Sequence, residues 1–101
     1  MALTTEKYKI KFYHKTLSCE QLTEWGISLP FGEQRRCTIA RIYSQDNPDL
    51  IAGEYIAICN PTDNFNRSVG RKNSLCGVLS VLENKDERKE IWEAYRKQFK
   101  G

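Results

Sequence analysis

Residues 35–43 read RRCTIARIY, and this stretch of the 101-residue chain predicts a fold class most strongly. Its side chains alternate, so that Cys37 and Ile39 lie on one side of an extended backbone and Thr38 and Ala40 lie on the other. β-branched residues favour a strand because they pack well on a pleated surface. We therefore expect a β-strand over residues 35–43.

Three more strands and one loop are predicted on either side of this stretch. Residues 7–15 alternate between apolar and polar, as a strand buried on one face requires. Residues 22–29 carry apolar side chains at a spacing of two before a turn-like cluster, which predicts a short strand. Residues 54–59, EYIAIC, are apolar on both sides and indicate a central strand. Between the strands at 35–43 and 54–59, the segment 44–49, SQDNPD, is rich in turn-forming residues and predicts a loop.

The second half of the chain changes to a helical period. Apolar residues recur at spacings of three and four over residues 66–82, which predicts a helix. Asn84 then has the features of an N-cap, and a second helix follows with an apolar stripe. That stripe consists of Ile91, Trp92, Tyr95 and Phe99. Strands followed by helices predict an α+β fold, in which an antiparallel sheet of about four strands precedes two C-terminal helices packed on one face.

The length, composition and charge of the chain exclude several classes of protein. A length of 101 residues suits a single domain over 1–101 and excludes a multi-domain enzyme. The chain has no apolar run of 18 residues and begins with a charged segment, so we expect a cytoplasmic protein without a membrane partner. The net charge of +3 is milder than a DNA-coating protein requires. The four cysteines form no C-x-x-C pair, which favours free thiols and no metal site.

Motifs of catalysis are mostly absent from the chain. No Walker loop, G-x-S-x-G, H-E-x-x-H or G-x-G-x-x-G occurs. His14 is the only histidine, and nothing in the sequence brings it beside a particular cysteine as a base beside a nucleophile. We therefore expect a binding protein rather than an enzyme, with no catalytic residue, no metal and no cofactor.

The segment 59–82, CNPTDNFNRSVGRKNSLCGVLSVL, joins the last strand to the first long helix and predicts an anion site. Polar groups lie before the first helical turn, and cations follow at Arg67 and, four and five residues later, at Arg71 and Lys72. The positive end of a helix favours a phosphate there. An aromatic such as Phe65 or Tyr55 would stack on a base. The candidate ligand-binding residues are Asn60, Asp63, Phe65, Arg67, Arg71 and Lys72.

A purely structural interpretation explains the same residues. Asp63 would cap the helix, Phe65 would form a hydrophobic staple, and Gly70 would allow a close contact between helix and sheet. The basic residues would then be a solvated helix face. The sequence leaves both interpretations open.

The same segment carries the pattern N-P-x-D-x-F-x(4)-G-R-K. Its fixed positions are Asn60, Pro61, Asp63, Phe65, Gly70, Arg71 and Lys72. Over residues 55–79 this pattern resembles small bacteriophage proteins, including the Thoeris anti-defence sponges. The resemblance implies a homo-oligomer that sequesters a cyclic nucleotide immune signal in the host bacterial cytoplasm, with Asn60 and Asp63 lining a pocket between subunits. The chain departs from that family at Gly77 and Val81, where the family carries arginines.

Two hypotheses of different classes follow, together with a simpler one. The first is a non-enzymatic sponge that binds a cyclic nucleotide or another phosphate-bearing ligand. The second is an inhibitor of the anti-CRISPR type that docks on a host defence protein or on nucleic acid, using the basic helix face with Arg35, Arg36 and Arg41. The simpler hypothesis is a phage accessory domain without a ligand.

Overall fold

The computed structural model describes residues 2–59, 64 and 66–99, and the elements below are given for those residues. A four-stranded sheet forms the body of the molecule, and one short and two longer helices pack on it. In chain order the elements are β1 (Ala2–Thr4), β2 (Tyr8–Ser18), α1 (Cys19–Thr23), β3 (Gln34–Ser44), β4 (Asn47–Ile58), α2 (Arg67–Leu79) and α3 (Lys85–Gln98).

The sheet is an antiparallel meander in the order β1-β2-β3-β4. Strands β2 and β3 are its long central pair, with Phe12 opposite Ala40 and Tyr13 opposite Ile39. The predicted α+β class is confirmed, because this sheet is followed by two C-terminal helices. Neighbouring residues of one strand point to opposite faces, so each central strand contributes side chains to both sides of the sheet.

The larger apolar cluster lies between the sheet and the helices α2 and α3. The sheet contributes Ile10, Phe12 and Ile42, and each is 3% exposed or less. Leu75 from α2 and Ile91 from α3 close the cluster from the other side. The predicted apolar stripe of the last helix is thereby confirmed as a core-facing stripe, and Asn84 caps that helix by accepting from the backbone amides of the next turn.

The prediction of a strand over residues 22–29 is wrong. The chain instead forms α1, whose capping box has Ser18 accepting from the Gln21 amide and the Gln21 side chain accepting from the Ser18 amide. Gly26 then adopts a φ of 77°, which favours glycine, and turns the chain away after the helix. The apolar residues that follow pack as irregular chain on the face of the sheet opposite α2 and α3, around a second buried cluster.

Other boundaries also differ from the prediction. The short strand β1 was not expected; it pairs with β2 at one edge of the sheet and brings the number of strands to four. Strand β4 begins at Asn47 rather than within residues 54–59, so most of the predicted 44–49 loop is extended and only Gln45 and Asp46 form the turn. The prediction of a central strand over residues 54–59 is wrong, because β4 is an edge strand of the sheet. Pro48 is tolerated in β4 for the same reason.

Candidate functional site

The first turn of α2 lies unusually close to the sheet. Asn66 caps the helix, and its side-chain oxygen accepts hydrogen bonds from the amides of Ser68 and Val69. Four residues later, a Cβ added to Gly70 would overlap Thr38 Oγ1 and lie 3.1 Å from Thr38 Cβ. Only glycine fits this approach, which presses the start of α2 onto β3.

Arg71 lies beside this contact with its stem partly covered. Its Cζ is 4.5 Å from the centroid of the Phe99 ring, within the range of a cation–π interaction. Its Nε is buried and has no hydrogen-bond partner among the described residues. The side chain is therefore held in place by packing on an aromatic ring, because no carboxylate in that part of the chain fixes it.

His14 lies on the same face of the sheet, beneath the start of α2. Its Nδ1 is joined to Thr38 Oγ1 by a hydrogen bond of 2.9 Å. The pKa of His14 is lowered first by burial, and then by the positive charges of Arg67, Arg71 and Arg36, among other groups. Burial and the nearby positive charges therefore both favour the neutral form of His14.

These side chains form what we call the α2 basic cluster: His14, Arg36, Arg67 and Arg71. In the described residues the ion pairs are Lys7–Glu87, Arg35–Glu33 and Arg41–Glu54, and none involves Arg67 or Arg71. The first turn of α2 contains no acidic residue. The cluster therefore combines the positive end of a helix with guanidinium groups, whose planar donor geometry suits bidentate contacts with phosphate.

The structure brings together only part of the predicted site. Arg67 and Arg71 occupy successive turns of α2 and belong to the cluster, as their spacing predicted. Lys72 is exposed and lies about 100° around the helix from Arg71. Asn60, Asp63 and Phe65 lie outside the described residues.

Gly77 and Val81, the two positions compared with the sponges, both lie close to β4 in the structure. A Cβ at Gly77 would overlap the ring of Tyr55, so a larger side chain at this position requires the tyrosine to move. Val81 packs against Gly53 of β4. Tyr55 itself lies about 15 Å along α2 from Arg67, by the rise of ten helical residues, and so it is not placed to stack on a ligand at the start of α2.

The basic surface of the inhibitor hypothesis is divided between the two faces of the sheet. Arg36 lies on the α2 side and acts on His14. Arg35 and Arg41 alternate with it along β3 and therefore lie on the opposite face. Each of these two also pairs with a glutamate, Arg35 with Glu33 and Arg41 with Glu54.

Sequence reasoning missed His14, Arg36 and Thr38 as members of one site. His14 is the last residue but one of the strand predicted over residues 7–15, whereas in the structure it lies inside β2, directly opposite Thr38 of β3. Its alternation with Phe12 and Ile10 was the one available signal, because residues two apart share a face of the sheet. The pairing with β3 depends on strand register, which no local pattern in the sequence reports.

Comparisons with known proteins found no match for this chain among protein-family models, curated proteins or solved structures. Within the described part of the chain, no helix has the length and apolar character needed to cross a membrane. The same residues contain no group of three or more His, Cys, Asp or Glu side chains arranged to hold a metal ion.

Proposed function

We propose that this chain is a non-enzymatic binding protein that holds a phosphate-bearing small molecule of the cyclic nucleotide class at the α2 basic cluster. One observation supports this more than any other. Arg67 and Arg71 lie in successive turns at the start of α2, where the helix contacts Thr38, the hydrogen-bonded neighbour of His14, and Arg36 shares that face of the sheet. Neither α2 arginine pairs with a carboxylate among the described residues. Gathering like charges opposes folding, and a bound phosphate would relieve that repulsion.

The biological setting of the proposal comes from the sequence resemblance. A phage protein with this site, acting in the cytoplasm of its bacterial host as a homo-oligomer, would sequester a cyclic nucleotide signal and so block an immune response. Binding alone is sufficient for that role. Charge-assisted hydrogen bonds from guanidinium groups to phosphate contribute about 1.5 to 3 kcal/mol each when shielded from water.

The single histidine provides the test of this proposal. Calorimetry with cyclic dinucleotides, cyclic trinucleotides and cyclic ADP-ribose isomers should find a ligand, and the ring protons of His14 should be titrated by NMR with and without it. A bound phosphate offsets the arginine charges, so the pKa of His14 should rise on binding. His14 then takes up protons when the ligand binds. The affinity for the ligand should therefore increase as the pH falls toward the pKa of His14 in the free protein.

A matched pair of variants assigns the binding to the cluster. Arg67→Gln should weaken binding by about 10- to 150-fold, because one charged hydrogen bond is lost. Arg67 is exposed, so the fold should survive this change. Arg96→Gln makes the same substitution at an exposed position of α3 and should leave affinity unchanged. Equal affinities of the two variants, or no binding to any of these nucleotides, would contradict the proposal.

A further inference from the structure

The face of the sheet opposite α2 and α3 carries a second concentration of positive charge and aromatic rings. We call it the open face and define it by Lys9, Lys11, Tyr13, Arg41 and Tyr43, which lie on β2 and β3. The register places Lys9 opposite Tyr43 and Lys11 opposite Arg41, so these side chains form adjacent rows. This face does not belong to the site proposed above.

The helix α1 and the chain after it cover only one end of this side of the sheet. Their buried cluster consists of Leu17, Leu22, Cys37 and Ile39, and Tyr13 packs at its border. Lys9, Lys11, Arg41 and Tyr43 lie beyond that border, toward the other end of the two strands. The open face thus borders a buried cluster at one end of the two strands.

Cations and rings are interleaved on this surface. Lys11 Nζ lies 5.4 Å from the centroid of Tyr43, and Arg41 Cζ lies 5.2 Å from that of Tyr13. Lys15 Nζ approaches Tyr13 at 5.7 Å. The two tyrosines are four residues apart along the strands, or about 13 Å. Both rings are half-buried, so their positions are fixed by the sheet while part of each remains accessible.

The charge on this surface is not balanced locally. Lys11 and Arg41 are direct cross-strand neighbours, an arrangement that destabilises a sheet because the charges repel. Glu54 pairs with Arg41, with 2.9 Å between Arg41 Nε and a Glu54 carboxylate oxygen. With Lys9 and Lys15 included, this face carries four cations and one carboxylate, a net charge of +3. The net charge of the whole chain has the same value. The open face is therefore suited to a polyanion.

We propose that the open face binds a single strand of nucleic acid, with the phosphates on the lysines and Arg41 and successive bases on Tyr13 and Tyr43. Bases stack on aromatic side chains without sequence preference, since every base has a π-face. A duplex keeps its bases stacked inside and offers none to these rings. A membrane surface instead calls for apolar anchors beside the cations. Ile51, opposite Tyr43 and 44% exposed, is one such side chain, but the two rings of this face are amphipathic tyrosines, which favours bases over acyl chains.

Fluorescence anisotropy with labelled dT12 tests this proposal on the full-length protein. Binding should weaken as salt rises, with a log–log slope of about −0.7 for each phosphate contacted. Lys11→Glu should lower affinity by about 10-fold or more, because a phosphate contact becomes a repulsion. This variant places a glutamate opposite Arg41, so the loss would not come from unfolding. Lys89→Glu makes the same charge change at an exposed position of α3 and should keep most of the affinity.

A second variant separates stacking from charge. Tyr43→Leu keeps an apolar side chain and all the charges but removes the ring, and it should weaken binding about 5- to 150-fold at an unchanged salt slope. Arg67→Gln should leave dT12 binding intact, because Arg67 belongs to the other side of the molecule.

Four results would overturn the proposal. These are no binding of dT12 in low salt, equal losses in Lys11→Glu and Lys89→Glu, equal affinity for a 12-base-pair duplex, and binding to phosphatidylserine vesicles in place of dT12. An equal loss in Arg67→Gln and Lys11→Glu would contradict the placement of the strand on this face. Since the cyclic nucleotides are tested separately against Arg67→Gln, either proposal can fail without the other.

Discussion

At the scale of single residues, the contact between Gly70 and Thr38 positions the α2 basic cluster. Glycine inside a helix is unfavourable by about 1 kcal/mol relative to alanine. At an exposed helix position, replacing glycine by alanine would therefore stabilise the protein. Here the added methyl group overlaps Thr38 Oγ1, the atom that holds His14. We expect Gly70→Ala to lower the free energy of unfolding by about 1 to 3 kcal/mol, as overpacking does. Urea denaturation measures this change.

The double variant identifies the cause of that loss. In a Thr38→Ala background the hydroxyl oxygen is absent, so adding Gly70→Ala should be less destabilising than in the native protein. A Gly70→Ala protein more stable than the native one would show that α2 does not approach the sheet this closely. The same comparison by NMR should show a changed His14 environment, because α2 and its arginines would move away from the ring.

At the scale of elements, α1 and the chain after it are expected to contribute a core of their own. Leu22 is 0% exposed in the second cluster, whereas Leu50 of β4 is 63% exposed. Leu22→Ala should therefore lower the free energy of unfolding by about 2 to 5 kcal/mol, through lost burial and the cavity left behind. Leu50→Ala removes the same atoms at the surface and should change it by less than about 0.5 kcal/mol. Similar small losses in urea denaturation would mean that α1 does not pack on the sheet.

Three of the correctly predicted elements are long enough to show a period. Strands β2 and β3 have 11 residues each and α3 has 14, so alternation or a 3.6-residue stripe is visible in each. The helix α1 has five residues, too few for a stripe, and only its Ser18 capping box marks it. Trp25, Ile27 and Leu29 are spaced like a strand but pack as irregular chain on the second cluster.

Prediction of the candidate site follows the same physical limit. Arg67 and Arg71 are neighbours because they are four apart on one helix, a local relation. Arg36 and His14 join them through the pairing of β2 with β3 and the packing of α2 on that pair. Such contacts join residues far apart in sequence, and they are fixed by tertiary structure rather than by any motif.

At the scale of the whole molecule, the two clusters are expected to unfold together as one domain. They share the central strands, since Phe12 and Ala40 belong to the larger cluster while the neighbouring Tyr13 and Ile39 belong to the second. Loss of either cluster would weaken the pairing of β2 with β3, on which the other cluster depends. Unfolding should therefore be a single cooperative transition, as in most small domains.

The two tryptophans report on the two clusters separately. Trp25 packs against the second cluster and Trp92 against the larger one. In Trp25→Phe and in Trp92→Phe, the fluorescence of the remaining tryptophan should give the same urea midpoint as far-UV circular dichroism of the same variant. A midpoint reported by Trp25 well below that of its own circular dichroism would mean that the α1 side opens as a separate unit. The open face and the α2 basic cluster would then be carried by parts of different stability, although both are built on β2 and β3.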